Sequence, residues 1–293
     1  MVSPLADISG SRSGTVNGKA FGAPETAALS DHAPVILPCT EQWTDETERG
    51  PYRMFLGIPP TPPPPQGYPL FVVLDANATF ATAYDAMRIQ SRRSERTAVD
   101  PTVVLGIGYP TDAPHDVVRR SADYTTRTGG VSALQDFIEH DVRPGIEARL
   151  PIDPLRRALF GHSLGGLFVL QTMFSRTSGF RSFIAASPSI WWNDCAVLED
   201  ERIFSEPRAG CVDGLRLLVT VGGHEGEAGL RHESGDPSRR SHVRAKRMID
   251  NAKEMVDRLR ALPMDANFVE FPEENHASVL PGSIARALRF AAC

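Results

Sequence analysis

The sequence predicts an α/β fold: a mostly parallel sheet with helices on both faces and an antiparallel N-terminal edge. Two observations predict it. Short, almost continuously apolar runs recur at Leu70 to Leu74, Thr102 to Ile107, Ala158 to Phe160, Phe183 to Ala186, Leu215 to Val221 and Asn267 to Phe271, the pattern of strands buried on both faces. Longer segments with helical spacing lie between them, and parallel strands need such crossover connections.

In chain order, residues 1–30 are rich in Gly, Ser and Ala without periodicity. They bury too little apolar surface to offset the entropy of ordering and are expected to form a flexible arm. Residues 31–293 read as one domain. From Val35 to Ile58 the pattern is strand-like, with Tyr52, Met54 and Leu56 alternating against Arg53, Phe55 and Gly57. The Pro59 to Pro65 run that follows is a stiff spacer between two strands. Helical stripes are marked by Leu134, Phe137, Ile138, Val142 and Ile146, by Leu167, Leu170 and Phe174, and by Ile249, Met255 and Leu259. The stretch Glu225 to Arg240 is polar and charged, which predicts a surface loop, and Val279 to Phe290 predicts a closing helix.

Composition excludes several functions. With 31 Lys+Arg against 36 Asp+Glu the net charge is −5, and no basic block is present to neutralise a nucleic-acid backbone. The four cysteines, Cys39, Cys195, Cys211 and Cys293, form no C-x-x-C pair and have no histidine at zinc-like spacing, so no metal site is expected, and a reducing compartment suits them. No apolar run is long enough to span a bilayer, and the first residues lack a basic segment followed by an apolar one. A cytoplasmic protein without a membrane partner is expected.

Gly161-His162-Ser163-Leu164-Gly165 is a G-x-S-x-G motif. It stands between the strand-like Ala158-Leu159-Phe160 and a helical segment from Gly166 to Phe174, the strand-turn-helix context that aims a serine above a sheet. The turn strains its central residue, and glycines on either side avoid clashes with the neighbouring strand and helix. Ser163 is therefore the candidate nucleophile, and the Leu164 N–H at the helix N-terminus is placed to hold a developing oxyanion.

A serine hydroxyl needs a base at neutral pH. His276 lies in the turn after the last strand candidate, where such a base belongs, whereas His162 adjoins the serine and is expected to pack beside the elbow. The third member should be an acid between them in chain order. Glu225, in the segment after Leu215 to Val221, is the first choice and Glu227 the second; either could instead be a solvated charge, leaving a Ser-His dyad. The segment after Leu70 to Leu74 supplies the Asn77 backbone N–H as a second oxyanion donor.

Three stretches then carry a family resemblance: Phe160 to Phe168, Ala186-Ser187-Pro188-Ser189-Ile190-Trp191-Trp192-Asn193-Asp194, and Glu274-Asn275-His276-Ala277-Ser278-Val279. They resemble the "putative esterase" (esterase D-like) α/β-hydrolases, particularly the trilactone siderophore esterases that open enterobactin and salmochelin. Leu74 to Phe80 and Arg120-Ser121-Ala122-Asp123-Tyr124-Thr125 are similar to two further family segments. Ala76, and Glu273-Glu274 before the Asn-His pair, stand where relatives often carry glycine.

The resemblance implies an α/β-hydrolase that forms an acyl-enzyme on Ser163 with His276 as base, needs no cofactor, and acts on an enterobactin-like trilactone to release iron. Trp191 and Trp192 are candidates to stack on catechol rings, unless an indole only caps the core. Arg120, with Arg88, Arg119 and Arg127, is a candidate to pair with an anionic ligand such as a ferric siderophore, unless these are solvated surface charges. Two other readings compete: a small-acyl esterase or thioesterase such as an S-formylglutathione hydrolase, and a non-catalytic ligand-binding protein on the same scaffold.

Overall fold

The alternating N-terminal pattern forms a hairpin edge. Strands β1 (Thr40–Asp45) and β2 (Tyr52–Gly57) pair antiparallel, with Tyr52, Met54 and Leu56 buried and Arg53 and Phe55 less so. The computed structural model describes residues 35–125, 129–175, 179–206, 212–226, 229 and 246–292. The chain divides into two units, Met1–Ile36 and Leu37–Cys293, and the second carries everything that follows. The expected arm at residues 1–30 lies outside the described residues.

The apolar runs are strands β3 (Tyr68–Leu74), β4 (Val103–Gly108), β5 (Ile152–His162), β6 (Ser182–Ala186), β7 (Arg216–Gly222) and β8 (Asp265–Phe271). They complete one sheet in the order β1-β2-β4-β3-β5-β6-β7-β8. β2 joins β4 antiparallel and every later pairing is parallel. Every residue of β3, β4 and β6 is buried, because helices cover both faces. β5 is longer than its apolar run: its first half is polar and partly exposed, so only Ala158 to Gly161 is buried without interruption.

Strand alternation separates two cores. Leu70, Val72 and Leu74 of β3 face one, and Phe71 and Val73 the other. The second core is closed by α1 (Ala76–Gln90), through Phe80, Ala83, Tyr84 and Met87, and by the last helix, through Ile284, Ala287 and Leu288. Between α1 and β4 runs the short α2 (Ser94–Thr97), and α3 (Val117–Tyr124) follows β4. The stripe from Leu134 to Ile146 spans α4 (Gly130–Phe137), a π turn at Ile138–Val142, and α5 (Arg143–Arg149). Helix α6 (Leu164–Ser175) is buried at every position from Gly165 to Phe174.

After β6 come the irregular turn α7 (Trp192–Cys195) and α8 (Val197–Phe204). Helix α9 (Met248–Leu259) joins the first core through Met255, Val256 and Leu259, and α10 (Val279–Ala292) closes the chain. From β3 the chain steps to β4 on one side and then to β5 on the other. Ligands of open α/β sheets bind at such a switch point, outside the carboxyl ends of the strands. Among the described residues no helix is long and apolar enough to cross a membrane.

Candidate active site

Ser163 follows the carboxyl end of β5 with φ +60°, a left-handed conformation that costs a non-glycine residue on the order of 1–3 kcal/mol. Its backbone is held on three sides. Its N–H donates to the Ala186 carbonyl (2.9 Å), while its own carbonyl accepts from Leu167 N–H (3.0 Å) and Ser189 N–H (3.1 Å). Gly161 permits the turn by lacking a side chain: a Cβ there would stand 2.2 Å from the Gly165 carbonyl oxygen.

His276 arrives from the opposite side, in the turn between β8 and α10. Asn275 builds that turn, its Oδ1 accepting from the N–H groups of Ala277 (2.9 Å) and Ser278 (3.1 Å) while its own N–H donates to Ser278 Oγ (2.9 Å). The imidazole Nε2 lies 3.0 Å from Ser163 Oγ, and Nδ1 lies 2.9 Å from Glu225 Oε2. A carboxylate only accepts, so Nδ1 carries the proton and the Nε2 lone pair faces the serine.

Glu225 departs from the predicted surface loop. It closes a short 3₁₀ turn, Gly223–Glu225, directly after β7 and is only 6% exposed. Its Oε1 accepts from Gly222 N–H (2.7 Å) and from the Ser187 hydroxyl. Burial alone would raise its pKa. Hydrogen bonding to His276, the charge interaction with His276 and the bonds from Ser187 and Gly222 outweigh that and hold it below the ordinary glutamate value. Glu227 and the rest of the predicted loop up to Arg240, apart from Gly226 and Gly229, lie outside the described residues, as does Arg127.

The proposed oxyanion donors sit at two helix N-termini. Leu164 is the first residue of α6 and Asn77 the second of α1, positions whose N–H groups have no intrahelical acceptor. The Asn77 side chain has a separate role, donating to the Tyr109 and Thr111 carbonyls (3.0 and 2.7 Å) and accepting from Tyr109 N–H (2.9 Å). It ties the first turn of α1 to the segment after β4.

His162 packs beside the elbow, its ring 4.7 Å from that of His276. Trp191 and Trp192 meet edge to face at 5.9 Å, and Trp192 also leans on the first core. Trp191 stands two residues beyond Ser189, whose Oγ is 3.4 Å from Ser163 Oγ, and Lys246 Nζ lies 4.6 Å from the Trp191 ring centroid.

Arg120 grips Asp75 with two nitrogens, Nε to Oδ1 at 3.0 Å and Nη2 to Oδ2 at 2.8 Å. Arg119 stacks over Tyr52 and Tyr109, and Arg88 pairs with Asp85 in the last turn of α1, far from the oxyanion end of that helix. A cleft of about 940 Å³, lined by Trp43, Asp45, Arg49, Asp136 and His140 among others, contains none of the predicted site residues.

Four contributors are not among the candidates that the sequence singles out. Ser187 and Ser189 lie in the stretch picked out for its tryptophans, and Asp75 in the stretch picked out for Asn77; their positions right after β6 and β3 were the available signal. Lys246 belongs to no motif and had none.

The model of a family described as "Putative esterase" matches residues 47–256. The ferri-bacillibactin esterase of Bacillus subtilis is 39% identical to this chain over an aligned length of 277, a match that covers 87% of this chain and 90% of the relative. A siderophore triacetylfusarinine C esterase of Aspergillus fumigatus is 34% identical over an aligned length of 282, a match that covers 87% of this chain and 94% of the relative. Among solved structures, the siderophore hydrolase EstB from Aspergillus nidulans superposes with a TM-score of 0.77 at 31% identity, over 89% of this chain and 96% of the other.

Proposed function

This chain belongs to the "putative esterase" family of α/β-hydrolases, and from that premise we propose that it hydrolyses the ester bonds of a siderophore through an acyl-enzyme on Ser163. The observation that carries this reading is the unbroken hydrogen-bonded row from Ser163 Oγ through His276 to Glu225, mounted on a strained elbow at the carboxyl edge of the sheet.

His276 Nε2 takes the Ser163 proton as Oγ bonds to the ester carbonyl carbon. The charge that develops on the carbonyl oxygen is held by the N–H groups of Leu164 and Asn77, and Glu225 steadies the imidazolium. Collapse breaks the bond to the alcohol oxygen, which leaves with the proton from His276. A water molecule then gives a proton to His276 as its oxygen bonds to the acyl carbon, and collapse breaks the carbon–Oγ bond, Ser163 Oγ taking that proton back from His276 as the carboxylic acid leaves. A ferric ion, where the substrate carries one, is cargo and takes no part in these steps.

The relatives named above are siderophore esterases and hydrolases, which favours a siderophore over a small acyl group. Trp191, with the Lys246 ammonium above its ring, offers a flat aromatic surface and a cation suited to an anionic catecholate. The test is mass spectrometry of the intact protein after exposure to a fluorophosphonate, beside Ser163→Ala, followed by turnover of a trilactone siderophore and of short p-nitrophenyl esters. Labelling that needs Ser163, with trilactone turnover, is expected. Labelling with turnover of short esters alone would remove the siderophore, and unchanged turnover in Ser163→Ala would remove the serine mechanism.

A further inference from the structure

Asp75 and Arg120 take no part in the row from serine to acid, yet they join the two loops that would hold the oxyanion. Asp75 follows β3 in a left-handed conformation (φ +52°), occupies the N-cap position of α1 without a side-chain bond to that helix, and is 3% exposed. Its carboxylate also reaches the elbow helix: a Cβ built on Gly165 would lie 3.4 Å from Asp75 Oδ2. The charge is thus wedged between the first turns of α1 and α6.

Arg120 supplies the matching cation through the two bonds described above, and its Nη2 also reaches the His162 carbonyl at 3.5 Å. The guanidinium lies over the Tyr124 ring (5.5 Å) and the side chain is 12% exposed. Tyr124 OH bonds Asp75 Oδ1 and accepts from Asp75 N–H, both at 3.3 Å, and His115 Nδ1 stands 3.9 Å from Oδ1. The neighbouring Arg119 faces a second buried carboxylate, Asp123, which accepts from Tyr52 OH (2.9 Å) and Tyr109 OH (3.2 Å). Helix α3 therefore braces the floor of the site with two consecutive arginines.

We propose that Arg120 is a positioning residue that, through Asp75, sets the spacing of the Asn77 and Leu164 amides and cancels a carboxylate charge beneath the oxyanion. The inference rests on the reading that Ser163 attacks an ester. Without Arg120 the Asp75 carboxylate would oppose the negative charge of the transition state and leave the α1 loop free to shift; both effects act on the reacting carbonyl whatever the rest of the substrate is.

The test compares kcat and KM of wild type, Arg120→Met, Arg120→Lys and the double variant Arg120→Met/Asp75→Asn on neutral p-nitrophenyl acetate and on a trilactone siderophore with and without iron. Arg120→Met is expected to lower kcat by about 10- to 100-fold on all three substrates with KM within about threefold. Arg120→Lys, which keeps the charge but not the fork, should lose less, and the double variant should recover about tenfold over Arg120→Met because the uncompensated charge is gone.

A loss confined to KM for the iron-loaded siderophore would overturn the inference and make Arg120 a substrate ligand, and so would a double variant no better than Arg120→Met. If Arg120→Met does not fold, the kcat-against-KM split of Arg120→Lys carries the decision. Turnover that persists in Ser163→Ala defeats the proposed function, whereas Ser163-dependent turnover with undiminished kcat in the Arg120 variants defeats this inference alone.

Discussion

His162 donates its Nε2 proton to the backbone carbonyl of His276 across 2.8 Å, so the residue before the elbow serine braces the residue that faces it. The carbonyl can only accept. Burial, with the charge of His276 adding to it, lowers the His162 pKa to about 4, and the side chain is neutral at pH 7. An imidazolium formed on His276 then meets no second positive ring.

Stability should depend on pH through His162. Between its ordinary value of 6.5 and about 4, the unfolded chain binds a proton there that the folded chain excludes. Stability therefore rises with pH across that window and is lost on acidification, by about 3 kcal/mol when complete. Urea midpoints at pH 7 and pH 5 should differ more for wild type than for His162→Gln. Equal differences would refute the assignment.

Glu225→Gln should be at least as damaging as Glu225→Ala. Gly222 N–H and the Ser187 hydroxyl hold one oxygen of the side chain, so the amide oxygen would take that place and its NH₂ would point at His276 Nδ1. That donor forces the proton onto Nε2, which then cannot accept from Ser163. A fall in kcat of about 10²- to 10⁴-fold is expected. Steady-state kinetics showing less than a threefold fall would mean that serine and histidine suffice.

Gly161→Ala should destabilise the fold by about 1–3 kcal/mol. The added methyl would meet the Gly165 carbonyl oxygen and carbon at 2.2 and 2.4 Å, and backbone at the start of α6 cannot yield as a flexible side chain would. Thermal denaturation checks this; an unchanged midpoint would show that the elbow relaxes at no cost.

Lys246→Met should lower kcat/KM for an iron-loaded trilactone by about three- to tenfold and leave p-nitrophenyl acetate unchanged. The ammonium above Trp191 is placed to attract an anionic ligand and has nothing to offer a small neutral ester. Equal losses on both substrates would give Lys246 a structural role instead.

The sequence by itself determined the order of the buried strands and of the helices that carry an apolar stripe, because burial on both faces writes a strand as an unbroken apolar run and a covering helix as a stripe, whereas α1, α3 and α8 were not marked. It also determined Ser163 and His276 as candidates, because the glycines around the elbow and the turn after the last strand are local requirements. Only the tertiary structure decided what depends on neighbours from distant segments. Glu225 is polar and sits in a polar stretch, so nothing local distinguished it from a solvated charge; the Ser187 hydroxyl, the Gly222 amide and the His276 ring, brought together by three strand ends, make it a buried acceptor. Arg120 resembled a surface cation open to a ligand until β3 and α3 set Asp75 against it. A charge's role depends on which opposite charge it meets and how much water remains between them, and that is settled by contacts far apart in the chain.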